Sequence, residues 1–537
     1  MNRSKDDPAD RSITPPDAAP EVARPTSAST GADFLQLSIA DAPTGGRSDW
    51  LVRQLRLAIS DGRLPVGSKL PATRALAADL RVSRGVVTEA YQRLSEDGQV
   101  AGRGRAGTVV VAAPLAAPAP VPGATPPPPT GTLFTAPPGP DVFDALRAAP
   151  ARIDLSPGQP DLTAFPRAAW LRAERAVLRT VPASDLGYGD PRGAAPLRLA
   201  VANWLARNRG IRADPAEVLI VAGTAQALGL IAQVLRRDGM SAIAVEDPGS
   251  LGVRQHLRSR QLETPPVPVD ADGVRVDALR AAGAPAVVLT PAHQFPTGVV
   301  LGGRRRRELL DWAREGGLIV EDDYDAEHRY DRPPVPALRA MLAEHVCYAG
   351  SVSKLLAPAL RVGWLLAPPR YRDALVEAKR FADLGNAVLP QHVLARLMES
   401  GELERRLRLL RTRHRRRRDA MIEAIRTHLP GAVVHGAAAG LHLTITFERS
   451  AERSAERSAE RSAAGAMGAA VPGLSDTVLS DTVLAATALA AGVKAQPLSW
   501  HSQRPHPPGL VLGYAASSPA TIAEGVALLG EALRQLR

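Results

Sequence analysis

The chain has 537 residues, of which 45% are hydrophobic and 23% charged, and its formal net charge is +11. That length exceeds one ordinary domain of roughly 100–200 residues, no apolar run approaches the roughly 20 residues of a membrane span, and a single cysteine, Cys347, excludes intrachain disulfides. The positive balance favours a polyanionic partner such as DNA, although an arginine excess alone does not establish one.

Residues 1–47 are polar, Pro-rich and poor in aromatics, a composition that cannot offset its ordering entropy, and a disordered tail is expected. Its start holds no apolar segment of the secretory kind, which points to a cytoplasmic protein. Apolar periodicity begins at Trp50 and predicts a compact domain over residues 48–111. Residues 112–152 are dominated by Pro and Ala and read as an extended linker. From 153 to 537, short apolar runs at Val218–Val221, Ala242–Val245, Ala286–Leu289, Leu318–Val320, Val346–Tyr348 and Trp364–Leu366 alternate with helical patterns. That alternation predicts an α/β domain with a large, mainly parallel sheet. A smaller α+β subdomain is expected beyond about residue 370, with strands at Leu441–Phe447 and Leu510–Tyr514. Between those strands, Glu-Arg-Ser-Ala repeats and a doubled Ser-Asp-Thr-Val-Leu make 448–484 a low-complexity insertion.

In the first domain Asp49 is placed to cap a helix whose apolar face is Leu51, Leu55 and Ile59. A second helix follows Pro71, and Ser83 is the expected cap of a third. On that third helix Val87, Ala90, Tyr91 and Leu94 recur at helical spacing and face a core, leaving Ser83, Arg84, Thr88 and Glu89 outward. Glycines at 102, 104 and 107 between β-type residues suit a two-stranded wing with Arg103 and Arg105 at its tip. The run GRLPVGSKLPATRALAADLRVSRGVVTEAYQRLSEDGQV resembles the winged helix-turn-helix of the GntR family of bacterial regulators. The resemblance implies operator DNA as partner, with contacts from Arg74, Ser83, Arg84, Thr88, Arg103, Arg105 and Thr108. Gly85 replaces the polar residue usual at its position.

Lys354 follows the apolar strand that ends at Gly350, with Ser351, Ser353 and Arg361 nearby as phosphate-type partners. Asp322 and Tyr324 close the strand Leu318–Val320, at the edge where α/β sheets bind ligands. Gly223, Thr224 and Ala225 lie between a strand and a helix, where backbone amides can hold an anion. Together these residues fit pyridoxal 5′-phosphate: Lys354 as the Schiff-base amine, Asp322 on the pyridine nitrogen, Tyr324 on the ring hydroxyl, and Thr224, Ser351 and Arg361 on phosphate. His293, ahead of the Phe295-Pro296-Thr297-Gly298 turn, is a candidate cofactor or effector contact, with turn stabilisation as the alternative. The eleven histidines show no metal-ligand spacing with cysteine, so no metal site is expected.

The motifs TPAHQFPTGVVL, EDDYDAEHRY and GSVSKLLAPALRVGW are similar to the fold-type-I aminotransferase-like domain of the MocR subfamily, which fuses it to a GntR-type winged helix. The resemblance implies a homodimer in which Tyr188 reaches the partner's cofactor phosphate. Two positions depart from working aminotransferases: Ser250 replaces a ring-stacking aromatic, and Val511 stands where an arginine grips the substrate carboxylate, with Arg504 as a nearby substitute. The expected function is therefore a regulator that senses pyridoxal phosphate or an amine or amino acid reacting with it. The alternatives are an active aminotransferase with an accessory DNA-binding domain, or a regulator with an empty, vestigial pocket. Nine arginines in Arg405–Arg418 and four in Arg304–Arg307 read first as solvated helix faces, with a secondary DNA contact as the alternative.

Overall fold

The computed structural model describes residues 37, 39, 42, 43, 46–104, 107–112, 133–325, 327–330, 335–447 and 479–536. They fall into two compact units, Met1–Ala124 and Thr125–Arg537. No helix among the described residues is long and apolar enough to cross a membrane.

In the first unit, helices Arg47–Ser60, Thr73–Asp79 and Arg84–Glu96 share one core, to which the third contributes Val87, Ala90, Tyr91 and Leu94 as its spacing predicts. The buried Tyr91 hydroxyl donates to Pro71 O at 2.8 Å, so its polar end is satisfied where the second helix begins. Strands Val100–Gly102 and Thr108–Val110 pair antiparallel as a wing, and Gly107 takes the left-handed backbone (φ 84°) that closes its turn. Asp49 does not cap the first helix. That helix starts at Arg47, placing Asp49 in its first turn, where the carboxylate pairs with Arg93 of the third helix. Ser83 occupies the cap position of the third helix without a side-chain capping bond.

The second unit is built on an eight-stranded sheet in the order Leu219–Val221, Gly363–Leu366, Val346–Ser351, Leu318–Asp323, Ala286–Leu289, Ala244–Asp247, Pro266–Asp270, Gly273–Val274. Its five central strands run parallel, whereas Gly363–Leu366 is antiparallel to both neighbours and Gly273–Val274 to its one. Helices cover both faces, so the strands read as continuous apolar runs rather than alternating ones. A four-stranded antiparallel sheet, in the order Ala432–His435, His442–Phe447, Gly509–Gly513, Gln496–Pro497, forms the smaller subdomain with the helix Glu402–His428.

Three segments differ from expectation. Within the stretch read as linker, Val142–Ala148 is a helix whose Val142 and Leu146 enter the small-subdomain core, and Phe134 stacks on Trp500 with centroids 5.3 Å apart. The proline-rich composition masked this short amphipathic turn. Residues 480–484 belong to the fold rather than to an insertion, because Ser480 caps helix Asp481–Ala490 and Leu484 is fully buried. The Glu-Arg-Ser-Ala repeats and the first copy of the doubled pentapeptide up to residue 478 lie outside the described residues.

The arginine runs are not simply solvated faces. Arg305 and Arg306 are buried and donate to Val274 O (2.6 Å) and Pro336 O (2.8 Å). On the long helix Arg411 donates to Glu327 O (2.7 Å), and Arg413 and Arg417 both grip Asp161 at 2.8 and 2.9 Å, while Arg415 and Arg416 remain exposed. Burial alone would raise the Asp161 carboxyl, but Arg417, Thr163 and Arg413 outweigh it and hold it below the usual carboxylate value. The partners lie about 250 residues apart in sequence, which is why the run's periodicity could not reveal them.

Candidate functional site

Strands Leu219–Val221, Leu318–Asp323 and Val346–Ser351 all deliver their carboxyl ends to one edge of the large sheet. There a cavity of about 680 Å³ is lined by Thr224, Ala225, Asp322, Tyr324, Lys354 and Arg361, among others. Six of the residues singled out from sequence thus converge on one space, at the position where open α/β sheets take ligands.

Lys354 is almost wholly buried around its amine, which donates to Gly158 O. Burial depresses the ammonium pKa, while Asp325 and Asp322 partly restore it, so the amine is more readily neutral and nucleophilic than on a surface. Asp322 is pushed up to about 7, first by burial and then by Asp323 and Asp325, with Lys354 opposing. Its Oδ1 is buried without a hydrogen-bond partner. An orphaned carboxylate oxygen is costly in a folded core, and a charged N–H donor in the cavity would satisfy it.

The Tyr324 hydroxyl lies 3.0 Å from His293 Nδ1, which is also 2.9 Å from Asp325 Oδ2. Burial raises the phenol well above its ordinary pKa, so it stays protonated and can donate. His293 does not line the cavity. Its ring is packed so closely beneath Gly440 that a Cβ there would fall 1.9 Å from Cε1, and its contact with the Tyr324 hydroxyl is its link to a lining residue. Among the described residues, His293, Asp325 and His442 bring possible metal-ligand atoms within 4.8 Å, a spatial grouping the sequence spacing does not reveal. In this structure Nδ1 of His293 and Nε2 of His442 are engaged by hydrogen bonds, the latter to Pro296 O at 3.1 Å.

The helix Thr224–Arg237 begins directly after Gly223 (φ 87°), and its first amides, those of Thr224 and Ala225, have no acceptor in the helix's own ladder. Arg361 sits in the left-handed region (φ 50°) and donates to Ala222 O; a Cβ on Gly223 would lie 3.4 Å from its Nη1. The left-handed φ is what calls for glycine at 223, beside the corner where guanidinium and helix terminus meet. Ser351 and Ser353, expected as phosphate partners, do not line the cavity, and Ser353 N donates to Ser351 Oγ at 3.3 Å. Tyr188 is 95% exposed and borders a separate hollow with Asp190 and Asn386, so within one chain it does not reach the Lys354 cavity.

Ser250 caps helix Leu251–Arg258 by accepting from Val253 N at 3.3 Å, which gives it a structural reason at a position read as a lost stacking residue. Val511 is fully buried in mid-strand, and Arg504 is exposed and does not line the cavity. Sequence reasoning missed other lining residues, among them Phe143, His256, His442, Gln496 and His501. Phe143 comes from a helix hidden in the proline-rich stretch and Gln496 from a two-residue strand too short to leave a periodic signal, whereas His256 lies on helix Leu251–Arg258, His442 opens strand His442–Phe447 and His501 ends a short 3-10 turn.

In the first unit Ser83, Arg84 and Thr88 are exposed at the start of the third helix, and Arg74 and Arg103 are exposed on the second helix and the wing. Thr108 is half-buried, and Arg105 lies outside the described residues. Glu89, read as outward, is exposed but turned to the first helix, accepting from Ser48 Oγ at 2.8 Å.

Residues 48–110 match the gntR family of bacterial regulatory proteins, and residues 151–464 match the aminotransferase class I and II family. The chain is 30% identical to the probable rhizopine catabolism regulatory protein MocR of Rhizobium meliloti, over 90% of this chain and 93% of that one. It is also 30% identical to the pyridoxine biosynthesis transcriptional regulator PdxR of Corynebacterium glutamicum, over 74% and 83% of the two chains. Among solved structures, the α-aminoadipate aminotransferase LysN of Thermus thermophilus, complexed with N-(5′-phosphopyridoxyl)-L-leucine, superposes with a TM-score of 0.62 at 28% identity, covering 76% of this chain and 97% of that one. Both the fused architecture and the cofactor-type site are thus accounted for together: the chain belongs to the MocR-type regulators of the GntR family, in which a DNA-binding winged helix is joined to a pyridoxal-phosphate-dependent aminotransferase class I/II fold.

Proposed function

We propose that this transcription regulator uses its aminotransferase-like domain as a sensor, holding pyridoxal phosphate at Lys354 and changing its hold on operator DNA with the state of that site. The observation that carries the reading is the convergence of Lys354, the orphaned Asp322 Oδ1, Tyr324 and the Thr224–Arg361 corner on one cavity. When bound, the cofactor supplies an electrophilic carbonyl that captures primary amines. The residues of this chain do the rest: Lys354 holds the cofactor covalently, Asp322 accepts from its ring nitrogen, and Tyr324, set by His293 and Asp325, donates to its ring oxygen. Thr224, Ala225 and Arg361 hold its phosphate. The relative from Corynebacterium glutamicum, named for regulating pyridoxine biosynthesis, lends the reading further support. Loss of the carboxylate-gripping arginine at Val511 disfavours turnover of amino acids, the alternative reading.

A signal has a defined way out of the cavity. Lys354 donates to Gly158 O, and the segment just beyond carries Asp161, the carboxylate gripped by Arg413 and Arg417 of the long helix. Engaging the lysine elsewhere releases Gly158 and biases that segment between two arrangements, and a ligand shifts an equilibrium only by such differential contact. The exposed apolar side chains Leu186, Tyr188, Phe381 and Leu384 support a second copy of the chain as partner on that face.

Titrating the full chain with pyridoxal phosphate is expected to produce a saturable visible absorption band. Asp322→Ala removes a charge-assisted hydrogen bond worth about 1.5–3 kcal/mol, weakening cofactor binding by roughly 10- to 150-fold. Unchanged affinity in that variant would remove Asp322 from the proposed role. On the DNA side, Arg103→Ala is expected to lower the slope of log K against log salt by about 0.9, the signature of one lost phosphate contact, for specific and unrelated duplexes alike. A slope identical to wild type would place Arg103 off the DNA.

A further inference from the structure

The wall of the cavity that would face a captured amine is formed by the small antiparallel sheet. In its register Thr444, Val511 and Gln496 lie directly opposite one another on three adjacent strands, and such a row shares one face. Val511, where working aminotransferases carry the carboxylate-gripping arginine, is buried and apolar, but its neighbour Gln496 reaches the cavity. Gln496 is fixed there. His501 Nδ1 accepts from Leu251 N at 3.4 Å, so the proton of this neutral imidazole is on Nε2, which lies 3.0 Å from Gln496 Oε1. Burial pushes the His501 pKa down to about 3, which keeps the ring neutral. With its oxygen taken as acceptor, the amide of Gln496 is left with its NH₂ donors for a ligand.

Among the described lining residues, this wall contributes no lysine or arginine. His442, which also lines the cavity, is pushed down to about 3 by burial and spends Nε2 on Pro296 O. Arg147 lines the cavity but its side chain is 62% exposed and paired with Asp144. A carboxylate placed against Gln496 would therefore be desolvated without a cation from this wall, whereas a neutral acceptor would take the amide's hydrogen bond at little cost.

We propose that Gln496, oriented by His501, is the specificity-determining residue of the sensor site, and that the effector is a primary amine bearing a neutral hydrogen-bond acceptor such as a carboxamide. The proposal rests on the sensor reading above and narrows it. It is tested on the full chain loaded with pyridoxal phosphate, titrated with L-alaninamide and L-alanine, reading the change in the cofactor's visible band against the concentration of unprotonated amine. Wild type is expected to half-saturate at about tenfold less L-alaninamide than L-alanine. Gln496→Leu should abolish that preference by weakening the amide alone, and Gln496→Arg should turn it toward L-alanine. Equal or better response of wild type to L-alanine overturns the proposal without needing any variant, as does a preference that survives in Gln496→Leu. Failure of the chain to take up the cofactor at all overturns the sensor reading and this proposal together, whereas a loaded chain without preference overturns only this one.

Discussion

Lys354→Ala is expected to abolish covalent capture of pyridoxal phosphate, with loss of the visible band and of any cofactor trapped by borohydride reduction. The substitution should not harm the fold. The amine is buried with a depressed pKa, and its hydrogen bond is to a single backbone carbonyl, Gly158 O, so replacing it removes a desolvated cation rather than a supporting contact. Residual binding through Asp322, Tyr324 and the Thr224–Arg361 corner should persist as reversible affinity, measurable by equilibrium dialysis. Borohydride-trapped cofactor in Lys354→Ala, located by peptide mass, would assign the covalent role to another lysine.

Asp323→Ala is expected to cost about 3–5 kcal/mol of stability, the usual consequence of breaking a buried ion pair from one side. Arg209 and Asp323 have side chains 1% and 2% exposed, with Nε and Oδ2 2.6 Å apart, and Tyr348 also donates to that carboxylate. Burial pulls the Arg209 guanidinium down, but Asp323 leads the groups that more than restore it, so removing the carboxylate strands a charge inside the domain. Urea denaturation of the cofactor-free chain measures the loss. Arg209→Met combined with Asp323→Leu should recover most of it, because the double change removes both partners of the pair together. A single-variant loss below about 1 kcal/mol would show that water reaches the pair.

The parts of this protein that were legible in the sequence are those in which local periodicity and function coincide. Val87, Ala90, Tyr91 and Leu94 mark the core face of the third helix, and by exclusion its exposed one. The apolar runs at Ala286–Leu289 and Leu318–Val320 became sheet strands because both their faces are covered. Lys354, Asp322, Tyr324 and Arg361 could be named because Asp322 lies at the end of a parallel strand, Tyr324 and Lys354 come shortly after such strands, whose carboxyl ends meet at one edge, and Arg361 lies on the connection from the Lys354 strand to the next.

What escaped the sequence depends on long-range packing. Asp49 looked like a cap because nothing local announces its pairing with Arg93. Arg413 and Arg417 looked solvated because their partner, Asp161, is supplied by a loop far upstream. Val142–Ala148 was hidden by surrounding prolines, and Gln496 by a strand only two residues long. All but the first lie in the second unit, where the Val142–Ala148 helix and Gln496 contribute to the cavity wall, so elements around the proposed sensor site were the least visible from sequence.

The central claim is that the state of the Lys354 site sets the grip on DNA. Operator affinity of the full chain, with and without saturating pyridoxal phosphate, tests it most directly, with Lys354→Ala measured alongside. The account predicts that the cofactor changes wild-type affinity by at least about fivefold, the lower range of allosteric coupling, and leaves the variant unchanged. Wild-type affinity indifferent to the cofactor, or an equal response in Lys354→Ala, would contradict it.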